Sequence, residues 1–474
     1  MAAALHIRDL AHVDLRTSAE RGCSAIFSTP LPTARSIRWI PVALCLAVVG
    51  CADRTPSPNV LLVVIDTLRA DHLTLYGYGR TTSPNLEALA RESVLFRNAF
   101  STAPWTTPAI AAILTGQHPA ALGIAALPVE LPMGAPRISS MLKRTGYSTH
   151  GVVSHLFASS KFKFDLGFDT WDETHSGDHS YVSSPGVTDQ AIQALRQHRG
   201  QPIFMFVHYF DPHFNYLEHP GYEYSEVEGR GGGRGFKSIL ALREAAKQDA
   251  LSPSDLQRIK DHYDSEIRFT DAHIGRLFDT LKELGQYDQT MIIVTADHGE
   301  AFMDRPDRWL GHTVTLYQEL IHVPLIIKLP GESRAKVIDE YVSTVDILPT
   351  IVEVAGIVEE ENPSLRGRSL LLNLERRAVV SETRRGASLQ AVASGGWKLI
   401  LDTSSGKVSL FQLSDDPGER MDRADDLPEI VERLQILRRT WAARKSGRWD
   451  QGESVEPQLS PAELERLRGL GYVQ

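Results

Sequence analysis

The stretch Val60-Leu-Leu-Val-Val-Ile65 is an unbroken run of apolar, mostly β-branched residues that ends at Asp66. Such a run predicts a central strand of a parallel sheet, because a strand covered by helices on both faces has no side that must be polar. The aspartate would then lie at the carboxyl end of the strand. In open α/β sheets this is the edge where ligands bind.

Two later apolar runs are also followed by carboxylates and imidazoles. They are Ile203-Phe-Met-Phe-Val207, before His208, Asp211 and His213, and Met291-Ile-Ile-Val-Thr295, before Asp297 and His298. A solvated loop could carry any one of these polar residues without a function. Because three buried strands end in the same way, we predict that their polar residues share one site at the sheet edge.

Helical patterns fill the intervals between these strands, over Ser83 to Arg91, after Pro108, and over Asp264 to Leu284. This alternation predicts an α/β fold with a doubly wound, mostly parallel sheet over residues 59–375. Residues 376–474 contain four short strand patterns and two amphipathic helical patterns. They predict a smaller C-terminal subdomain with an antiparallel sheet.

Residues 1–50 have the features of an export signal. Arg35 and Arg38 precede an apolar run that is too short to span a membrane as a helix. The run ends in Val48-Val-Gly-Cys51, which resembles the lipobox of bacterial lipoproteins, and residues 51–58 form a Pro/Ser-rich linker. A short buried helix is the alternative. We expect a leader, cleavage before Cys51, and attachment to the membrane through a lipid on that cysteine.

Composition excludes several classes of function. Cys23, Cys45 and Cys51 are the only cysteines, so the processed chain would lack a thiol for a disulfide, a zinc–thiolate site or a cysteine nucleophile. The formal net charge of −9 makes nucleic acid a poor partner. We therefore expect no nucleic-acid binding.

Thr106-Thr107-Pro108 opens an apolar helical run that continues to Gly116. Proline suits the first helical position and threonine suits the cap, so this arrangement presents a hydroxyl at the positive end of a helix dipole. A nucleophile that attacks an anionic ester would be well placed there. An ordinary N-cap is the alternative function of these threonines.

Several motifs occur in an order that resembles the sulfatase family of the alkaline phosphatase superfamily. They are Asn59 to Leu73, Thr106-Thr-Pro108 with Thr115-Gly116, Val207 to His213, Thr295-Ala-Asp-His-Gly-Glu300, Gly311 to Pro324, Val345 to Thr350, Gly396-Trp-Lys-Leu-Ile400 and Asp416-Pro-Gly-Glu419. The resemblance covers most of residues 59–474. It implies a metal-dependent hydrolase of sulfate or phosphate esters.

The chain departs from ordinary sulfatases at the position of the nucleophile. Their signature begins with a cysteine or serine that is oxidised to formylglycine, and alignment on Thr115-Gly116 puts Thr106 there, with Ala109 and Ile110 in place of the signature serine and arginine. A threonine cannot form that aldehyde, so we expect no formylglycine. Other family positions also differ, at Thr67, at His298, and at Ser154-His155 where a lysine is expected.

The residues that remain match the metal set of superfamily members with a threonine nucleophile. By this resemblance, Asp66, Thr106, Asp297 and His298 hold one divalent metal ion, and Thr106 is the nucleophile. Mixed oxygen and nitrogen ligands favour Mn²⁺ or Zn²⁺ and are compatible with Ca²⁺ or Mg²⁺. The resemblance further implies that the three histidines of the adjoining motifs neutralise the ester oxygens or protonate the leaving group. They are His208, His213 and His312.

Two alternatives concern neighbouring residues. A second metal could be held by Asp211, His213 and His312, as in superfamily members with two ions. Arg69 and Asp71 could reach the site, or they could form a local ion pair that shapes the loop after Asp66.

The expected function is hydrolysis or transfer of a phosphate or sulfate ester of the kind that glycans or lipids carry. A threonine adduct must be broken by water or an acceptor alcohol, which favours phosphate, whereas the family resemblance favours sulfate. The alternative is an inactive sulfatase-like binding protein. The lipobox places either one at the bacterial cell envelope, on the periplasmic side or the outer surface.

Overall fold

A computed structural model describes residues 57–126, 129–177, 183–198, 200–217, 219–224, 239–357, 365–372, 374, 377–443 and 455–469. The predicted export signal over 1–50, the predicted cleavage site at Cys51 and the linker before Ser57 lie outside these ranges. Among the helices of the described part, none is long and apolar enough to cross a membrane.

In chain order, the described strands are β1 Asn59–Ile65, β2 Val94–Phe100, β3 Ser148–Val153, β4 Thr170–Asp172, β5 Ile203–Tyr209, β6 Thr290–Ala296, β7 Ala301–Phe302, β8 Leu310–Gly311, β9 His322–Lys328, β10 Lys336–Ser343, β11 Val379–Thr383, β12 Leu389–Ser394, β13 Trp397–Asp402 and β14 Val408–Gln412. Strands β1, β5 and β6 confirm the three predicted runs of the main sheet, each within two residues of its expected ends, and the structure adds further strands.

The main sheet has the order β10-β2-β9-β6-β1-β5-β3-β4. It is mostly parallel, as predicted, because only β9 runs antiparallel to its neighbours. Residues 60–65 of β1 are buried, as a central strand covered on both faces requires. Ile65 pairs with Tyr209 of β5 and with Ala296 of β6. This register puts the first residues after β1 and β6, Asp66 and Asp297, side by side at the carboxyl edge.

The predicted helices are present, with two differences at their starts, and the structure adds others between them. In chain order, the described α-helices are α1 Pro84–Ala90, α2 Thr106–Thr115, α3 Pro119–Leu122, α4 Ile138–Arg144, α5 Ser184–Gln197, α6 Ile239–Lys247, α7 Pro253–Glu283, α8 Gln318–Ile321, α9 Ile347–Val354, α10 Pro428–Ala443 and α11 Pro461–Gly469. Helix α7 begins 11 residues before the predicted Asp264, at a capping box in which Ser252 and Asp255 bond each other's backbone N–H.

The predicted start of α2 is wrong by two residues. Trp105 has extended backbone angles and is the N-cap, so Thr106 occupies the first helical position and Pro108 the third. Proline is tolerated there because the first N–H groups of a helix have no intrahelical partner. Neither threonine side chain caps the helix. The buried Thr107 hydroxyl instead donates to the Phe157 carbonyl at 3.3 Å.

The C-terminal strands form the predicted antiparallel sheet, in the order β11-β12-β13-β14. Helix α10 packs on one face of it through Leu434. On the other side, the buried Lys398 Nζ lies 2.7 Å from Glu419, which also pairs with Arg305 at 3.0 Å. A buried lysine must be paired, so the Asp416–Glu419 motif has a structural role. The division into domains at residue 375 stays a prediction.

Candidate active site

Asp66, Asp297 and His298 form the cluster predicted at the carboxyl edge of the sheet. All three are fully buried, and one ligand atom from each lies within 4.8 Å of the others. His298 Nε2 is 3.6 Å from Asp66 Oδ1 and 3.5 Å from Asp297 Oδ2. Two carboxylates and an imidazole in this arrangement are suited to a divalent cation.

The hydrogen bonding of this cluster fits a metal ion. Among the described residues, neither oxygen of Asp66 accepts a hydrogen bond, and the same holds for Asp297 Oδ2. Burial, and then the charges of Asp297 and Glu300, raise the pKa of Asp66 well above its ordinary range. Burial also raises the pKa of Asp297. Buried carboxylates without donors are costly, and a bound cation would compensate them.

The backbone around the cluster is held in fixed positions. Thr67 has a φ of 52°, an uncommon conformation for a β-branched residue that the surrounding structure must enforce. Its N–H donates to Asp297 Oδ1 at 3.2 Å, and its carbonyl accepts from the Tyr263 hydroxyl at 2.6 Å. His298 Nδ1 lies 2.9 Å from the Gly299 carbonyl. That contact assigns the proton to Nδ1 and leaves Nε2 as a ligand atom.

Thr106 belongs to the same site. Its Oγ1 is 3.4 Å from His298 Nε2, at the N-terminus of α2. The N–H groups of the first helical turn have no intrahelical partners, so this position attracts an anion. The neighbouring Thr107 bonds to Phe157 and is used for packing. Thr107 is thus not the helix cap that the spacing predicts, and Thr106 as the nucleophile stays a prediction.

Four further histidines surround the cluster. His208 Nε2 and His155 Nε2 lie 3.6 Å and 3.9 Å from Asp66 Oδ2. The ring centroid of His312 is 4.5 Å from that of His298 and 5.0 Å from that of His213. His155 was not among the predicted site residues, although it follows β3, which pairs in parallel with β5.

The rings of His213, His298 and His312 favour their neutral forms in the free protein. Burial lowers the pKa of His298 and His312 well below the ordinary value, and burial and the charge of His312 lower that of His213 to about 3. An anionic ester bound among them would favour their protonated forms. They can therefore take up and give back a proton as substrate binds and reacts.

Glu300 is a second residue that sequence analysis missed. Its Oε1 is 3.0 Å from His312 Nδ1, and both side chains are buried. This contact directs His312 Nε2 away from the carboxylate, as the carboxylate–histidine pairs of many enzymes do. A sequence signal for Glu300 was present, because it is the last residue of the Thr295–Glu300 motif that resembles the sulfatase family.

The contacts of Asp211 and Arg69 bear on the two alternatives for neighbouring residues. Asp211 Oδ2 accepts from the backbone N–H groups of Ser183 and Ser184, at 3.1 Å and 2.8 Å, and from the Ser184 hydroxyl. It therefore caps α5, and the second-metal alternative is not supported. Arg69 pairs with Asp71 at 2.7 Å and with Asp304 at 2.9 Å. The local ion pair is confirmed.

Comparison with known proteins identifies the family. The sulfatase family model matches residues 58–357. An ulvan-active sulfatase of Formosa agariphila is 26% identical over an alignment of 359 residues that covers 68% of this chain and 68% of the other. Two solved structures share the fold. A complex with the substrate D-glucosamine-2-N,6-O-disulfate has a TM-score of 0.68 at 19% identity, over 84% of this chain and 100% of the other. A phosphonate monoester hydrolase of Agrobacterium radiobacter has a TM-score of 0.64 at 20% identity, over 82% and 95%.

These comparisons confirm the predicted fold and give no support to the alternative of an inactive binding protein. The family match covers all four residues of the predicted metal set, Asp66, Thr106, Asp297 and His298. From the family match and its named relatives, the chain belongs to the sulfatase family and is a sulfatase-like hydrolase.

Proposed function

We propose that this protein hydrolyses an anionic ester with Thr106 as the covalent nucleophile and one divalent metal ion as cofactor. The observation that carries the proposal is the position of the Thr106 hydroxyl, 3.4 Å from His298 in a buried carboxylate cluster and at the N-terminus of α2. The cysteine content agrees with it, because no cysteine follows Cys51 and none could supply a formylglycine precursor.

The metal would be held by Asp66, Thr106, Asp297 and His298. When bound, a divalent ion at such ligands lowers the pKa of a hydroxyl and withdraws charge from an ester oxygen. Mn²⁺ and Zn²⁺ suit this mixed donor set best. These four residues supply the ligands of one metal ion.

The protein's own groups have distinct roles. The first-turn N–H groups of α2 would bind the ester oxygens, and His208 and His213 would neutralise charge as it develops. His312, oriented by Glu300, would give a proton to the leaving alcohol and then accept one from the water that breaks the threonine adduct. The attack forms an Oγ1–phosphorus or Oγ1–sulfur bond at Thr106 and breaks the bond from phosphorus or sulfur to the leaving oxygen, which departs as the alcohol with the proton from His312. The proton that the Thr106 hydroxyl loses before the attack passes to solvent.

The nucleophile favours phosphate esters, whereas membership of the family favours sulfate esters. A formylglycine hydrate can expel sulfate by collapsing to an aldehyde, but a threonine adduct has to be broken at phosphorus or sulfur by an incoming water. We propose phosphate as the better substrate and sulfate as the second candidate. Because two similar proteins are named for ulvan and for a glucosamine disulfate complex, a glycan is the preferred carrier of the ester.

The test compares 4-nitrophenyl phosphate, its ethyl diester and 4-nitrophenyl sulfate on the purified mature chain. Each is assayed with a chelator and with added Mn²⁺, Zn²⁺ or Ca²⁺. We expect metal-dependent turnover with kcat/KM for one of the phosphates at least about 100-fold above that for the sulfate. A sulfate preference would reject phosphate, and failure of every ester with every metal would favour a binding protein.

Glu300→Gln is expected to lower kcat by roughly 10- to 100-fold, in the range of a lost orienting group. Glutamine can still accept the Nδ1–H of His312, but it removes the negative charge that stabilises the protonated ring. The pKa of His312 then falls, so the alkaline limb of the pH–rate profile moves to lower pH. An unchanged profile would show that Glu300 serves packing alone.

We also propose that the protein is lipid-anchored at the bacterial cell envelope. The support is the sequence Val48-Val-Gly-Cys51 before a Pro/Ser-rich linker. Cys51→Ala should abolish processing and lipid attachment, which a mass measurement on the membrane and soluble fractions would detect. Cys45→Ala is the matched control and should be processed normally. A Cys51→Ala protein with the wild-type mass in the membrane fraction would contradict the proposal.

A further inference from the structure

Tyr263 connects α7 to the loop that follows β1. Its side chain is fully buried, and its hydroxyl donates to the Thr67 carbonyl at 2.6 Å and accepts from the Arg69 N–H at 2.9 Å. The ring packs against other aromatic rings, with its centroid 4.8 Å from that of Phe302 and 5.0 Å from that of His72. Both the position of the ring and the hydrogen bonds of its hydroxyl are therefore fixed.

Thr67 is held on both sides. Asp66 before it continues the sheet, because its N–H donates to the Tyr209 carbonyl at 2.9 Å. The Thr67 N–H donates to Asp297 Oδ1 at 3.2 Å, and the Thr67 carbonyl accepts from Tyr263. Between these two fixed peptide groups lies the φ of 52°, which brings the Cβ of a residue close to the following carbonyl oxygen. Without these contacts, a threonine would favour a negative φ.

The conformation of Thr67 bears directly on the orientation of Asp297. Asp297 Oδ1 accepts from two backbone N–H groups, that of Thr67 at 3.2 Å and that of His298 at 2.7 Å. If the φ of Thr67 became negative while the chain on either side stayed in place, the peptide between Asp66 and Thr67 would have to rotate. That rotation turns the Thr67 N–H away from Asp297. The carboxylate could then turn, and the distances from its Oδ2 to the ligand atoms of Asp66 and His298 would change.

We propose that Tyr263 is a positioning residue for the metal site. Its hydroxyl keeps Thr67 in the left-handed conformation, and this conformation keeps the carboxylates of Asp66 and Asp297 at the spacing that one ion requires. The inference rests on the metal centre of the proposed function. Tyr263 acts through Thr67, since its described hydrogen bonds are with backbone groups. Removal of a group that orients metal ligands typically weakens metal binding by about 10- to 100-fold.

Calorimetric titration with Mn²⁺ and with Zn²⁺ measures the dissociation constant of the metal. Tyr263→Phe keeps the ring and its packing and should raise this constant at least about tenfold. Tyr76→Phe is the matched control, because the Tyr76 hydroxyl also donates to a backbone carbonyl, that of Phe96 at 3.0 Å, and accepts from a backbone N–H, that of Leu325 at 2.9 Å. The control loses the same two kinds of hydrogen bond and should change the constant less than about threefold.

Thr67→Gly tests whether the effect of Tyr263 passes through Thr67. Glycine adopts a positive φ without steric cost, so this variant alone should bind metal within about threefold of the wild-type protein. When Thr67→Gly is present, Tyr263→Phe should weaken metal binding less than about threefold. A tyrosine that serves packing alone would show no such dependence. For the same reason, Thr67→Gly should rescue a Tyr263→Phe protein that fails to fold.

Unchanged metal affinity in Tyr263→Phe would overturn this inference and leave the metal centre intact. A loss of about tenfold that persists when Thr67→Gly is present would also overturn it, as would a double variant that fails to fold. A wild-type protein that binds neither ion would reject the metal centre and this inference together. Because the titration needs no turnover, failure of every ester together with the expected effect of Tyr263→Phe would reject the proposed chemistry and retain the inference.

Discussion

Thr106→Ala is expected to lower kcat by at least about 10³-fold, because removal of a covalent nucleophile leaves only binding and electrostatic stabilisation. The fold should be retained, since alanine is a better helix former than threonine. Among the described residues, the hydroxyl of Thr106 has one hydrogen-bond contact, the long one of 3.4 Å to His298 Nε2. The measurement is kcat on the best phosphate ester at saturating metal. Thr106→Ser keeps a hydroxyl and should retain measurable turnover.

Thr107→Val is the matched control for this experiment. It removes a hydroxyl from the adjacent position without changing the size of the side chain, and the lost bond to the Phe157 carbonyl should cost about 1 kcal/mol of unfolding free energy. Activity should be retained. Full activity in Thr106→Ala, or a loss of activity in Thr107→Val as large as that in Thr106→Ala, would contradict the assignment.

Asp66→Asn is expected to separate metal binding from folding. The wild-type protein should be stabilised by Mn²⁺ or Zn²⁺, by about 2.7 kcal/mol at a concentration 100 times the dissociation constant. The variant should lose this response together with its activity. In a chelator it should unfold at a higher temperature than the wild-type protein, because it no longer buries a carboxylate without hydrogen-bond donors.

Thermal unfolding with and without metal measures both effects. Asp339→Asn removes the same charge from an exposed pair with Arg97, so it should respond to metal as the wild-type protein does. Metal stabilisation that survives in Asp66→Asn would place the ion elsewhere. A wild-type protein that is indifferent to every divalent metal would reject the metal centre.

The strands could be predicted because buried parallel strands are recognisable from their own residues. The unbroken apolar run Val60–Ile65 is typical of a strand that is buried on both faces. The residues that follow such parallel strands lie together at the carboxyl edge of the sheet. The starts of α2 and α7 were harder to locate. Trp105 caps α2 by its extended backbone and not by its side chain, so no residue type marked the boundary. The first turn of α7 is polar and partly or fully exposed, and the first buried residue of the helix is Ile259.

Site residues were predicted where a local sequence motif identified them. They were missed where only tertiary packing places them near the cluster. Asp66, Asp297 and His298 directly follow buried strands, and they lie together. His155 also follows a strand, β3, but it was considered only as a departure from the family pattern. The partnership of Glu300 with His312 depends on a loop closure that no local pattern shows.

The most direct test of the central claim is to find the covalent adduct. The metal-loaded protein is mixed with an excess of the preferred aryl phosphate, quenched in acid during turnover and digested, and the modified peptide is mapped by mass spectrometry. The account predicts one added phosphoryl group on Thr106 in the wild-type protein and none in Thr106→Ala. A phosphoryl group on Thr107 or on a histidine, with Thr106 unmodified throughout turnover, would contradict it.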